Sequence, residues 1–283
     1  MRLIRAAAAA IIACAAPAAA SAQGLAKLFV PSVKVFDERF LEFGSNTGVD
    51  NSAFNAFLET YTALDADGVR RVDYGAVTDA DSAALSAYVD ALEAVKVTDL
   101  SRDEALAHWM NLYNAGTIEV LLDNYPVDSI RDIRPNLFSI GPWDIKLFTV
   151  EGVEMSLNDI EHGVVRPVFQ DQRVHYGLNC AAFSCPNLGG EAFEGDQVFE
   201  QLNANAKAYV NSARGATVDD RGRVTASKIY QWFISDFGGD EAGVLTELRQ
   251  WAEPELKAQL DAVDDIKDFD YDWTLNDAAK AGS

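Results

Sequence analysis

The chain has 283 residues, 49% apolar, 24% charged and 10% aromatic, and a formal net charge of −21 from 23 Lys plus Arg against 44 Asp plus Glu. That apolar content can close a core and excludes a disordered, collagenous or low-complexity chain. The acidic balance argues against a nucleic-acid binder and against a basic patch for anionic lipid, because both need a cationic face.

Arg2 and Arg5 make a short cationic start, Ala6 to Ala20 an apolar run broken by Pro17, and Ala20-Ser21-Ala22 a small-x-small cleavage site. This is the pattern of a secretory signal peptide over 1–22, too short and too Ala-rich to span a membrane. The mature chain is then expected to start at Gln23, in the periplasm or outside the cell. An alternative takes Ile11-Ile12-Ala13-Cys14 as a lipobox, with Cys14 as a lipidated N-terminus. No later apolar run is long enough for a transmembrane segment. Residues 23–49 read as an N-terminal lead-in segment.

Phe54, Phe57, Leu58, Tyr61 and Leu64 fall at helical spacing, so 50–64 is expected to be an amphipathic helix. Asp65-Ala66-Asp67-Gly68 makes a turn and Val69 to Tyr74 an extended piece. Leu85 to Val95 mark a second helix. Ser101 and Glu104 form a capping box that opens a long helix ending before Pro126. Within 127–155 the sequence predicts loops and a hairpin, with Glu151-Gly152 as its turn. Ser156 to Asp159 caps a helix that Pro167 limits. Val174 to Leu178 alternates and predicts a strand. A helix at 196–212, a hairpin at 216–226 and two or three helices within 227–263 complete the pattern, and 277–283 reads as a disordered tail. No repeat or linker divides 50–276, so a single α+β domain is expected, predominantly helical with a small antiparallel sheet.

Reactive residue types concentrate between 161 and 185: Glu161, His162, Arg166, Arg173, His175, Asn179, Cys180 and Cys185. Two of the three histidines and both cysteines of the mature chain fall there. Trp109-x-Asn111-x-Tyr113-Asn114-Ala115, Ser156-Leu157-x-x-Ile160-Glu161-His162-Gly163-x-x-Arg166 and Arg173-x-His175-x-x-Leu178-Asn179-Cys180-x-x-x-Ser184-Cys185-Pro186 resemble the motifs of the family catalogued as domain of unknown function 547. Lys228 to Phe233 before Asp236-Phe237, and Tyr271-Asp272-Trp273-x-Leu275-Asn276, fit the same family, so the resemblance covers roughly 50–276. One departure is Ala181-Ala182-Phe183, where the family pattern has Gly-Ala and a polar residue. The resemblance implies no established reaction, only a loose link to papain-like and transglutaminase-like cysteine enzymes.

Four readings of the cluster remain open. In the first, Cys185 is a nucleophile, His175 or His162 activates it, and Asn179, Asn111 or Glu161 orients the ring or supplies an oxyanion donor. The order His175 before Cys185 reverses that of papain-like enzymes. In the second, Cys180 and Cys185 form a disulfide, worth roughly 2 kcal/mol for so small a loop. In the third, His162, His175, Cys180 and Cys185 bind zinc, although their spacing is not a standard zinc pattern. In the fourth, the residues are structural and Glu161 pairs with Arg166 on a helix face. Asn111 and Asn114 share a helix face and either tie that helix to 175–185 or line a polar pocket with Arg166 and Arg173. The leading expectation is thiol-dependent hydrolysis or acyl transfer on an amide or ester. It assumes no metal or cofactor, and a peptide or small molecule as ligand. The alternative is a disulfide-stapled, non-catalytic binding or assembly domain of the cell envelope.

Overall fold

The computed structural model describes residues 34–136 and 139–280. The expected leader 1–22, with Cys14, and residues 23–33 of the lead-in segment lie outside the described residues. Helix α1 (Ser52–Tyr61) runs directly into strand β1 (Thr62–Leu64), which pairs antiparallel with β2 (Arg70–Val72) across the Asp65–Gly68 turn. The amphipathic helix thus ends three residues before the expected Leu64, where Leu64 is 59% exposed and joins the hairpin instead. Helix α2 (Asp79–Glu93) starts on the Thr78 side chain, which accepts from Asp81 N–H.

Helix α3 (Arg102–Asn124) is the centre of the molecule. Its capping box forms as expected, with Ser101 Oγ accepting from Glu104 N–H at 3.3 Å. The helix is about 35 Å long and is buried all round from Ala105 to Ile118, polar His108, Asn111, Asn114 and Thr117 included. Strands β3 (Phe148–Val150) and β4 (Val153–Met155) form the expected hairpin. Its turn residues Glu151 and Gly152 take φ of 50° and 79°, the left-handed pair that such a two-residue connection requires.

Ser156 and Asp159 cap each other reciprocally, Ser156 Oγ accepting from Asp159 N–H and Asp159 Oδ2 from Ser156 N–H. The helix they open is a π-helix over Asp159–Phe169. It continues two residues past Pro167, the expected stop, because the wider winding eases the clash a proline ring makes inside an α-helix. The expected strand at 174–178 is instead a 3-10 turn, Gln172–Tyr176. Asp171 caps it by accepting from Arg173 N–H at 2.9 Å, and Val174, His175, Tyr176 and Leu178 are all buried. Alternation marks a strand only where one face stays open, and here every side is covered.

Helix α4 (Val198–Val210) precedes strands β5 (Ala216–Val218) and β6 (Val224–Ser227). These pair antiparallel, and β7 (Asp268–Asp270) adds to β6 in parallel. Between β6 and β7 lie α5 (Lys228–Trp232), α6 (Glu241–Trp251) and α7 (Pro254–Asp261). The expected disordered tail is ordered as far as described: Asp277 is buried and Ala278–Lys280 form a 3-10 turn whose Lys280 reaches Asp128. The fold is a single α+β domain, about half helical, with small sheets. One core surrounds α3 and a second lies under β5–β7 and α4 to α7, with residues 176–185 between them. Among the described residues no helix is long and apolar enough to cross a membrane.

Candidate active site

The segment that joins the cores carries both thiols. Asn114 on α3 holds its start: its Nδ2 donates to Gly177 O at 2.8 Å and its Oδ1 accepts from Asn179 N–H at 2.9 Å. Asn179 continues the brace, donating to Pro186 O and accepting from Ala181 N–H. Ala181 sits at φ 62°, in the left-handed region that favours glycine. The C-terminal segment runs antiparallel beside this loop. Phe183 N–H donates to Thr274 O, Ser184 N–H to Asp272 O and Asn276 N–H to Ala181 O. That alignment, together with β7, brings Tyr271 onto the thiols.

Both cysteines are free. Cys185 is 2% exposed and Cys180 more open. Cys185 Sγ lies 3.1 Å from Cys180 N–H, which donates to it, and 3.1 Å from Tyr271 Oη; Cys180 Sγ lies 3.4 Å from the same hydroxyl. Burial alone would raise the Cys185 thiol. Hydrogen bonds from the Cys180 thiol, the Tyr271 hydroxyl and the N–H groups of Ala182 and Cys180 outweigh it and hold Cys185 below its ordinary value. The shared hydrogen bond with Cys185, burial and the Cys185 charge push Cys180 well above its own. The two thiols therefore titrate as a coupled pair, in which the hydrogen bonds to Cys185 favour the charge there.

Glu161 and His162 come from the π-helix and His175 from the 3-10 turn, and all three line one cavity of about 160 Å³ with Cys180 and Cys185. Tyr113, Trp143, Trp232, Phe233, Tyr271 and Trp273 supply aromatic walls. The hydrogen-bond partners of the two histidines would give the rings, when neutral, opposite tautomers. His175 Nε2 lies 2.8 Å from Asp236 Oδ2, so it donates and Nδ1 is left as the ring's acceptor. His162 Nδ1 lies 3.2 Å from Arg166 Nη1, which can only donate, so the neutral ring carries its proton on Nε2. Burial, helped by the neighbouring Arg166 and His175, lowers the His162 pKa. Asp236 resists burial through hydrogen bonds from His175 and a two-pronged contact from Arg166, at 2.7 and 3.0 Å, and stays ionised far below the usual carboxylate range. His175 also stacks on Phe233 at 4.2 Å.

The expected partner for a thiol was a histidine. Among the described residues no hydrogen bond joins either histidine to either sulfur; the groups around Cys185 Sγ are the Cys180 thiol, the Tyr271 hydroxyl and backbone N–H groups. Nor does Arg166 form the expected helix-face pair with Glu161: its side chain is 1% exposed and committed to Asp236. Arg173 is outside the cavity, bound to Asp171 and Asn203. Asn111 braces the backbone of Phe193, donating to its O and accepting from its N–H, each at 2.9 Å. Asn111, Asn114 and Asn179 are thus ties within the scaffold. Among the described residues no group of three or more His, Cys, Asp or Glu is placed to hold a metal ion.

In the sequence Tyr271 and Asp236 stand only within the resembling motifs, with no role at the site, and Arg214 is not singled out. Tyr271 and Trp273 read as packing aromatics, and Asp236 carries no local signal for its pairing with His175. Arg214 is largely buried and donates from Nη1 to Cys185 O at 2.8 Å and to Phe183 O at 3.2 Å. It clamps the thiol loop from the second core.

Residues 97–210 match a family model described as "Protein of unknown function, DUF547". No curated protein and no solved structure matches the chain. The matched segment runs from just before α3 to the end of α4, so the motif resemblance over roughly 50–276 is supported over this part. It contains Glu161, His162, His175, Cys180 and Cys185, while Asp236, Tyr271 and Trp273 lie beyond it.

Proposed function

We propose that Cys185 is the nucleophile of an acyl-transfer or hydrolytic reaction on an amide or ester. The observation that carries this reading is the ring of donors around Cys185 Sγ in a cavity that also holds two histidines whose partners favour opposite tautomers. The thiolate attacks the carbonyl carbon, a thioester forms, and the alcohol or amine leaves with the proton that Cys185 gave up, passed on from His175 Nδ1, while His162 Nε2–H is left as a hydrogen-bond donor to the substrate. Water or a second acceptor then attacks the thioester while His175 Nδ1, oriented by Asp236, takes its proton. The His175–Asp236 pair follows the logic of a nucleophile site whose base is held by a carboxylate. Aromatic walls around about 160 Å³ suit an apolar acyl group of roughly one ring, since a dry cavity of about 150 Å³ accepts benzene. A peptide or small ester with such a group is the substrate class. In the same reading the leader 1–22 exports the chain to the periplasm or the exterior.

The test is covalent trapping. An activated ester of an aromatic acid should release its alcohol in a burst and leave an acyl group on the peptide that carries Cys185. Cys185→Ser should abolish both. Iodoacetamide should alkylate Cys185 at pH 7 faster than a model thiol, whose pKa is about 8.5, and Tyr271→Phe should slow it. His175→Ala should leave the burst but slow turnover of the acyl group. Slow alkylation and no acyl adduct would refute the reading.

A further inference from the structure

Acyl transfer needs one thiol, yet the site holds two. Cys180 and Cys185 lie in one cavity, both reduced, with their sulfurs 3.4 and 3.1 Å from a single oxygen, Tyr271 Oη. Cys180 N–H also donates to Cys185 Sγ at 3.1 Å, so the loop turns back until the second sulfur meets the first residue's backbone. No covalent link makes that turn. It is built by hydrogen bonds at both ends: Asn179 to Pro186 O at 2.6 Å, Arg214 to Cys185 O at 2.8 Å, and Tyr209 Oη to Ser184 O at 2.7 Å. A scaffold that holds two reduced sulfurs side by side has already met the entropic cost of closing the loop between them.

We propose that the Cys180–Cys185 pair carries a further activity, thiol–disulfide exchange with a disulfide-bearing small molecule or protein, in which Cys185 attacks and Cys180 resolves. The inference rests on Cys185 being the nucleophile of the site. The Cys185 thiolate attacks one sulfur of the incoming disulfide. That S–S bond breaks, the first thiolate leaves, and it takes up the proton Cys185 has given up. Cys180 then loses its proton and attacks Cys185 Sγ in the mixed disulfide. The second thiolate departs with that proton, and a Cys180–Cys185 bond forms. The two protein thiols are oxidised by two electrons and the incoming disulfide is reduced to two thiols, so the exchange needs no other reactant. The Tyr271 hydroxyl, bound to both sulfurs, is positioned to pass the proton off Cys180. A small dithiol reductant reverses the sequence.

The experiment treats the reduced full-length protein with oxidised glutathione, quenches with acid, and maps the peptide that carries both cysteines by mass spectrometry. The wild-type peptide should become lighter by two hydrogens and carry no glutathionyl group. Cys180→Ser should stop at one glutathionyl group on Cys185, lost at least about ten-fold more slowly than the wild-type intermediate. A wild-type peptide that keeps a stable glutathionyl group, or stays fully reduced, overturns the proposal whether or not the variant folds. Iodoacetamide separates the two levels. Fast alkylation of Cys185 without closure of the pair sinks the exchange and leaves acyl transfer standing. Alkylation no faster than a model thiol sinks the nucleophile beneath both.

Discussion

Ala181 shows what one residue holds in place. At φ 62° it stands where an L side chain is strained by roughly 1–2 kcal/mol, and its turn sets Cys180 against Cys185. Ala181→Gly should stay within about 1 kcal/mol of wild type, because relief of strain offsets the lost methyl and the added chain entropy. Ala181→Val, β-branched in a left-handed position, should destabilise by about 2 kcal/mol or more. Urea midpoints of the two variants check this. His108 makes the opposite point: it is 3% exposed, and among the described residues neither ring nitrogen has a hydrogen-bond partner. Burial drives its pKa down to about 3 from 6.5. The unfolded chain then binds a proton between those values that the folded chain does not, so stability falls as pH drops from 6.5 toward 3. His108→Leu should flatten that part of the profile, as urea midpoints at pH 7 and pH 4.5 would show. An unchanged slope would mean the proton is taken up elsewhere.

At the scale of elements, α3 is a ruler for the site. Asn114 reaches across to both Gly177 O and Asn179 N–H, and Asn111 does the same for Phe193. Asn114→Ala would leave a buried carbonyl and a buried N–H unpaired, so we expect a loss of about 2–4 kcal/mol, with Asn111→Ala close behind. Chemical denaturation measures both, and an unchanged midpoint for Asn114→Ala would show that the brace does not bear on stability. The capping boxes at Ser101 and Ser156 were legible because a cap is a contact between residues three apart. The turn at Gln172–Tyr176 was not. A strand and a 3-10 turn can share one alternating pattern when both faces are buried, and no local residue tells which neighbours will bury them.

For the whole molecule, the proposed leader 1–22 is the feature most exposed to direct test. Protein recovered from the cell envelope should begin at Gln23 by intact mass, and a diacylglycerol adduct on Cys14 would replace that result with lipid anchoring. The sequence by itself determined the α+β class, most helix starts and the gathering of Glu161, His162, His175, Cys180 and Cys185 within one stretch, since these follow from periodicity, capping and short spacing. Only the tertiary structure decided how those residues work. Asp236 reaches His175 and Arg166 from the loop after α5, and Tyr271 reaches both thiols from beyond β7, 86 and 91 residues along the chain from Cys185 and Cys180. Such contacts arise when the two cores close on the 176–185 segment, and no pattern of spacing along the chain encodes which distant hydroxyl or carboxylate will arrive there.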